Sequence, residues 1–83
     1  MYYFVYLIAA ENNKKIISYV GYTNNLRNRL DKHNSNKGAR STKGFKWVLI
    51  YKKKFISKSK AMSYEYKLKK SRKKRNEIVE KYK

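Results

Sequence analysis

The chain has no cysteine, a single histidine (His33) and only five acidic residues among 83. Without cysteine there is no disulfide framework and no thiolate zinc site, and a reducing compartment is expected. One histidine excludes a multi-histidine metal cluster. Long hydrophobic runs are also missing. The apolar stretch at residues 1–10 is too short to span a bilayer, and it lacks the basic residues that open a signal peptide. It reads as a buried strand of a cytoplasmic protein with no membrane partner. A chain of this length makes one domain, residues 1–83, near the low end for folding alone, so its core must come from packing. Nine tyrosines, three phenylalanines and one tryptophan, with the aliphatic residues, suffice for one sheet covered by a few helices.

The shortage of acid has a counterpart in 23 Lys and Arg, for a formal net charge of +18. A folded chain with that much self-repulsion calls for a polyanionic partner. Nucleic acid is the first candidate and an anionic membrane surface the second. A lysine-rich solvated face would give the same composition.

Residues 2–9 are aromatic and β-branched and read as a first strand, followed by a polar turn at 11–14 and a second strand at 16–22. The two pair as an antiparallel hairpin, in which Tyr6 and Tyr19 are expected as cross-strand neighbours. Gly21, inside the second strand, suggests a bulge or a close backbone approach. Asn24 can cap a helix over 25–33, with Leu26 and Leu30 on one face and Arg29 and His33 on the next. Residues 34–45 form a breaker-rich loop with three basic residues, suited to phosphate contact and poorly suited to core packing. A third strand follows at 47–55. Ser57 then caps a helix over 58–70, and Ser71 caps another over 72–81, with Ile78, Val79 and Tyr82 as apolar contacts. The expected fold is α+β: a three-stranded antiparallel sheet flanked by helices, in the order β-β-α-β-α-α.

Three kinds of residue could carry chemistry. Glu65 is the only acid between Asp31 and Glu77. It falls in a stripe with Ala61 and Leu68 that faces a core, where a carboxylate needs a cation, a metal or strong hydrogen bonds. The plainer reading is an i,i+4 salt bridge to Lys69 on a solvated face. Arg27 and Arg29 can each fork onto phosphate, but they point in different directions, and only Arg29 shares a face with His33. A phenol acts as a base near neutrality only beside positive charge or a metal, and positive charge is abundant here.

Taken together, Phe4-Val5-Tyr6, Tyr19-Val20-Gly21, Arg29 ten residues after Tyr19, His33, the loop Lys37-Gly38-Ala39-Arg40-Ser41-Thr42 and Glu65 resemble a small stand-alone GIY-YIG nuclease domain. The resemblance runs over nearly the whole chain. Each tripeptide is a weak motif alone; their order and spacing with Arg29, His33 and Glu65 is strong. Phe4 replaces the glycine of the first tripeptide, and Tyr22 stands where some relatives carry a lysine or another polar residue. The resemblance implies Mg2+- or Mn2+-dependent hydrolysis of phosphodiester bonds in DNA by Tyr6, Tyr19, Arg29, His33 and Glu65. In that scheme Glu65 holds the single metal, Arg29 holds the phosphate, Tyr19 (or Tyr6 in its place) assists the attacking water, and His33 supports the phosphate or relays a proton. Arg27, Lys37, Arg40, Lys43, Lys69, Lys70, Arg72 and Lys73 are expected to bind nucleic acid. With no room for an appended recognition domain, cleavage is expected to be structure-selective or weakly sequence-specific, in a setting such as DNA repair, a mobile element or defence. The alternatives are a non-catalytic basic nucleic-acid-binding module of the same fold and an RNA- or ribosome-associated protein.

Overall fold

The computed structural model describes residues 1–38 and 40–82. Two strands, β1 (Tyr3–Asn12) and β2 (Lys15–Thr23), lead into helix α1 (Leu26–Asn34). A loop containing one 3-10 turn (Arg40–Thr42) returns the chain to β3 (Val48–Phe55), and α2 (Lys58–Lys70) and α3 (Arg72–Tyr82) follow. The sheet is antiparallel throughout, in the order β2-β1-β3. This is the expected β-β-α-β-α-α arrangement.

β1 reads as an unbroken apolar run because it is central and covered on both faces. Val5, Tyr6, Leu7, Ile8, Ala9 and Ala10 are all buried. On one face Val5, Leu7 and Val20 pack with Ala61 and Leu68 of α2, and Ile78 and Val79 of α3 lie against that cluster. On the other face Tyr6, Ile8 and Ala10 pack with Trp47, under Leu26 and Leu30 of α1.

The hairpin is longer than the sequence suggests. The polar turn shrinks to Asn13 and Lys14, both with positive φ (51° and 68°), while Glu11 and Asn12 stay in the ladder opposite Ile16 and Lys15. Two left-handed residues match the twist of the flanking strands, so pairing continues to the loop. The irregularity in the sheet lies away from Gly21. Leu7 faces Tyr51 and Ile8 faces Leu49, which leaves Ile50 as an extra residue in β3.

The helix caps explain the remaining boundaries. The cap of α1 is Asn25 and not Asn24: the extended Asn25 backbone (φ −148°) lets its side chain accept from Asn28 N at 3.1 Å. Thr23 Oγ1 fixes that conformation by accepting from Asn25 N at 3.1 Å. Ser57 caps α2 through Lys60 N, and Ser71 caps α3 through Lys74 N, both as expected.

Candidate active site

Tyr6 projects from the central strand onto the α1 face, and the backbone opposite makes room for it. Its register partner is Gly21, where a Cβ would lie 2.6 Å from Tyr6 Cζ. Gly21 therefore marks a close approach of a side chain to backbone. Tyr19 pairs with Ile8, so Tyr6 and Tyr19 are diagonal neighbours on one face and not direct partners.

Helix α1 brings Arg29 and His33 over these rings. His33 is completely buried, with Nε2 2.8 Å from Tyr6 Oη and Nδ1 3.0 Å from Thr42 Oγ1. Its ring meets the Tyr19 ring edge-on, with centroids 5.1 Å apart. Arg29 Nε donates to Tyr6 Oη over a long 3.4 Å. Arg29 can only donate to the Tyr6 oxygen, and in the neutral imidazole one ring nitrogen donates while the other accepts, so Tyr6 Oη and Thr42 Oγ1 take opposite roles toward His33. Burial, only partly offset by Arg29, pushes the Tyr6 phenol up; the charges of Tyr19 and Glu65 add to it. Burial and then the Arg29 charge push the His33 imidazole down. Both groups are thus held neutral. Arg29, in contrast, is pushed up, first by its hydrogen bond to Tyr6.

The loop after α1 serves this arrangement in a way its composition hides. It buries Thr42 completely, despite the expectation that it would not pack. Thr42 O accepts from Trp47 Nε1 at 2.9 Å, and Asn34 clamps Trp47 through both backbone groups. Gly38 lets the loop cross the histidine, since a Cβ there would lie 2.5 Å from His33 Nδ1. Ala39, part of the expected loop motif, lies outside the described residues. The sequence placed Thr42 at the end of the loop motif but gave it no role: nothing in a threonine nine residues beyond a lone histidine points to a hydrogen bond between them.

Glu65 comes from α2, on the sheet's other face. Ala61 and Leu68 of its stripe are buried, while the Glu65 side chain sits at the rim, 19% exposed. Lys69 Nζ lies 3.8 Å from its carboxylate, so the salt bridge and the near-core position coexist. A pair this long with a half-exposed lysine contributes little, about 0–1 kcal/mol. The Glu65 charge reaches Tyr6, raising its pKa. Among the described residues no group of three His, Cys, Asp or Glu could hold a metal. One carboxylate with free coordination positions suits a hard divalent ion completed by waters and a phosphate, and does not suit a tightly caged metal.

Two of the expected roles change with position. His33, being fully buried, cannot touch a phosphate and can act only through Tyr6, Tyr19 and Thr42. Tyr6 is only 2% exposed, whereas Tyr19 is half-buried. The expected nucleic-acid contacts Arg27, Lys37, Arg40, Lys43, Lys69, Lys70, Arg72 and Lys73 are all exposed. Beyond them, an open cleft adjoins Arg29, and its lining includes Asn28, Lys32 and Lys58, which the sequence did not single out. No described helix is long and apolar enough to cross a membrane.

Comparison with known proteins gives a consistent result. The family model described as the GIY-YIG catalytic domain matches residues 2–82. A UPF0213 protein of Oceanobacillus iheyensis is 43% identical over 68 residues, covering 81% of this chain and 76% of its own length. The UPF0213 protein YazA of Bacillus subtilis is 39% identical, covering 92% of this chain and 75% of its own length. The solution NMR structure of a UPF0213 protein from Bacillus halodurans superposes with a TM-score of 0.55 at 36% identity, covering 96% of this chain and 84% of that one.

Proposed function

Because the chain belongs to the GIY-YIG family, we propose that it is a metal-dependent endonuclease hydrolysing phosphodiester bonds in DNA, structure-selective or weakly sequence-specific. The observation that carries this reading is the company Arg29 keeps. It hydrogen-bonds to the neutral Tyr6 phenol and to Tyr19, and among the described residues no carboxylate takes its charge. A guanidinium held in place by neutral groups has its charge left for an anion. Its Nε is engaged by Tyr6, and its terminal nitrogens can fork onto the non-bridging oxygens of a phosphate.

The other residues divide the work by accessibility. Tyr19, the more exposed phenol, accepts a hydrogen bond from the attacking water and orients it toward phosphorus. Tyr6 and His33 are positioning residues, a neutral buried pair that fixes Arg29 and Tyr19 from behind. Glu65 would hold a magnesium or manganese ion that supplies charge stabilisation on the phosphate and the leaving 3′ oxygen. The exposed lysines and arginines hold the flanking backbone without reading its sequence.

One observation favours a second reading, a basic binding module without turnover: Glu65 is engaged by Lys69 and belongs to no group of three potential metal ligands among the described residues. Incubation with branched, nicked and linear DNA, and with RNA, with and without magnesium or manganese, separates the two. Metal-dependent cleavage is expected, lost by at least about a hundredfold in Glu65→Gln and in Arg29→Ala, by analogy with removing a transition-state charge contact. Binding by Glu65→Gln should match or exceed wild type, since a negative charge leaves a basic face. Cleavage surviving in Glu65→Gln would sink the proposal, and binding with no metal-dependent cleavage would install the module in its place.

A further inference from the structure

Where β2 ends and α1 begins, the hairpin opens onto a cleft of about 410 Å³. Tyr22 of β2, Asn28, Arg29 and Lys32 of α1, and Lys58 at the start of α2 line it. Asn24 also contributes to its lining. Tyr22 packs against the apolar cluster beneath α2, so that wall is set before any ligand arrives.

The chemistry of this lining is uniform in sense. It holds three cations and no carboxylate, together with side-chain amides and phenol rings. Cations suit phosphate oxygens. Amides suit base edges, and aromatic rings suit base faces. The volume falls in the range of small-molecule pockets: it takes one nucleotide but not a base pair with both backbones. Arg29 belongs both to this cleft and to the Tyr6 cluster. Whatever occupies the cleft is therefore the immediate neighbour of the phosphate that Arg29 grips.

We propose that the cleft holds a single unpaired nucleotide of the DNA strand, next to the phosphate bound by Arg29. The substrate is then DNA with an unpaired nucleotide at the cut, such as a flap or a bulge, and a fully paired duplex is a poor one. This rests on the endonuclease reading above and narrows it. Tyr22 is the ring available to the base and Asn28 the amide at its edge. Lys32 and Lys58 take the flanking phosphates.

Amide NMR titrations of the full chain with thymidine 5′-monophosphate, and separately with inorganic phosphate, test the cleft without catalysis. The nucleotide should shift amides over 22–28 and at Lys58, while phosphate alone moves only the surroundings of Arg29. Asn28→Ala and Lys58→Ala, both at exposed helix positions, should weaken nucleotide binding by about tenfold each. Cleavage assays on the wild type should favour a flap over a matched duplex by at least about tenfold. The proposal is overturned if phosphate reproduces the nucleotide's pattern, if both variants bind as wild type, or if flap and duplex are cut alike. Tighter binding of uridine 5′-monophosphate would overturn the assignment to DNA. A protein that cuts nothing but still takes the nucleotide in this cleft would defeat the endonuclease reading and leave the cleft assignment standing.

Discussion

An imidazole buried with both nitrogens engaged is comfortable only while the ring is neutral, because a charged ring would carry a desolvation cost and face Arg29. His33 is in that position. Its folded pKa lies below the unfolded value of about 6.5, so at mildly acidic pH the unfolded chain binds more protons than the folded one. Stability therefore rises with pH across that window: it is complete above pH 6.5 or so and is lost as pH falls below it, with a slope of at most about 1.4 kcal/mol per pH unit for one proton. Urea denaturation between about pH 8 and pH 5 should show this decline, and the slope should disappear in His33→Asn even though that variant starts less stable. A wild-type curve that stays flat through this range would mean that the ring protonates freely. The histidine itself was legible in the sequence as a site residue. Its role was not, since nothing in the spacing reveals that Thr42 and Gly38 seal the ring away from a phosphate.

At the level of elements, the strand pairing makes one glycine the seat of the Tyr6 ring. Either a bulge or a close approach would have explained Gly21 from sequence; the Tyr6 ring lying across it selects the second. In Gly21→Ala the new methyl must displace Tyr6, which is also tied to His33 and Arg29. Overpacking of this kind costs about 1–3 kcal/mol. Cleavage should fall more than that cost explains, because the Arg29 support moves with the ring. Measuring kcat under conditions where the variant is fully folded separates the two effects, and unchanged kcat would show that Tyr6 does not position Arg29. Helices α2 and α3 were legible because each is opened by a capping serine, Ser57 and Ser71. The start of α1 was ambiguous because Thr23, Asn24 and Asn25 are all polar, and the choice of Asn25 depends on a hydrogen bond to Thr23 that only the folded backbone displays.

Across the whole molecule, the +18 charge argues for a polyanionic partner but does not locate the candidate site. Basic residues occur on α1, in the loop and on β3, α2 and α3, whereas the cleft combines three of them, Arg29, Lys32 and Lys58, with tyrosines and asparagines that meet only once the strands, α1 and α2 are in place. The charge also has a consequence for folding. The molecule measures only 37 × 28 × 19 Å, so at low salt its like charges lie within a few Debye lengths of one another, about 10 Å at 0.1 M. Added salt screens this repulsion. It also weakens attraction, but a loose surface pair such as Glu65–Lys69 has at most about 1 kcal/mol to lose. The net sign is stabilisation. Raising sodium chloride from roughly 20 mM to roughly 300 mM, a range over which the screening length shrinks severalfold, should raise the thermal midpoint of the free protein. Over the same range DNA binding by Glu65→Gln should weaken, with a log–log slope of about −0.9 per phosphate neutralised. The two opposite trends have one cause, since the repulsion that salt relieves in the free protein is the same field that DNA relieves in the complex. A midpoint that falls with salt would show that the lysines are held in attractive pairs, and would remove the electrostatic case for a polyanionic partner.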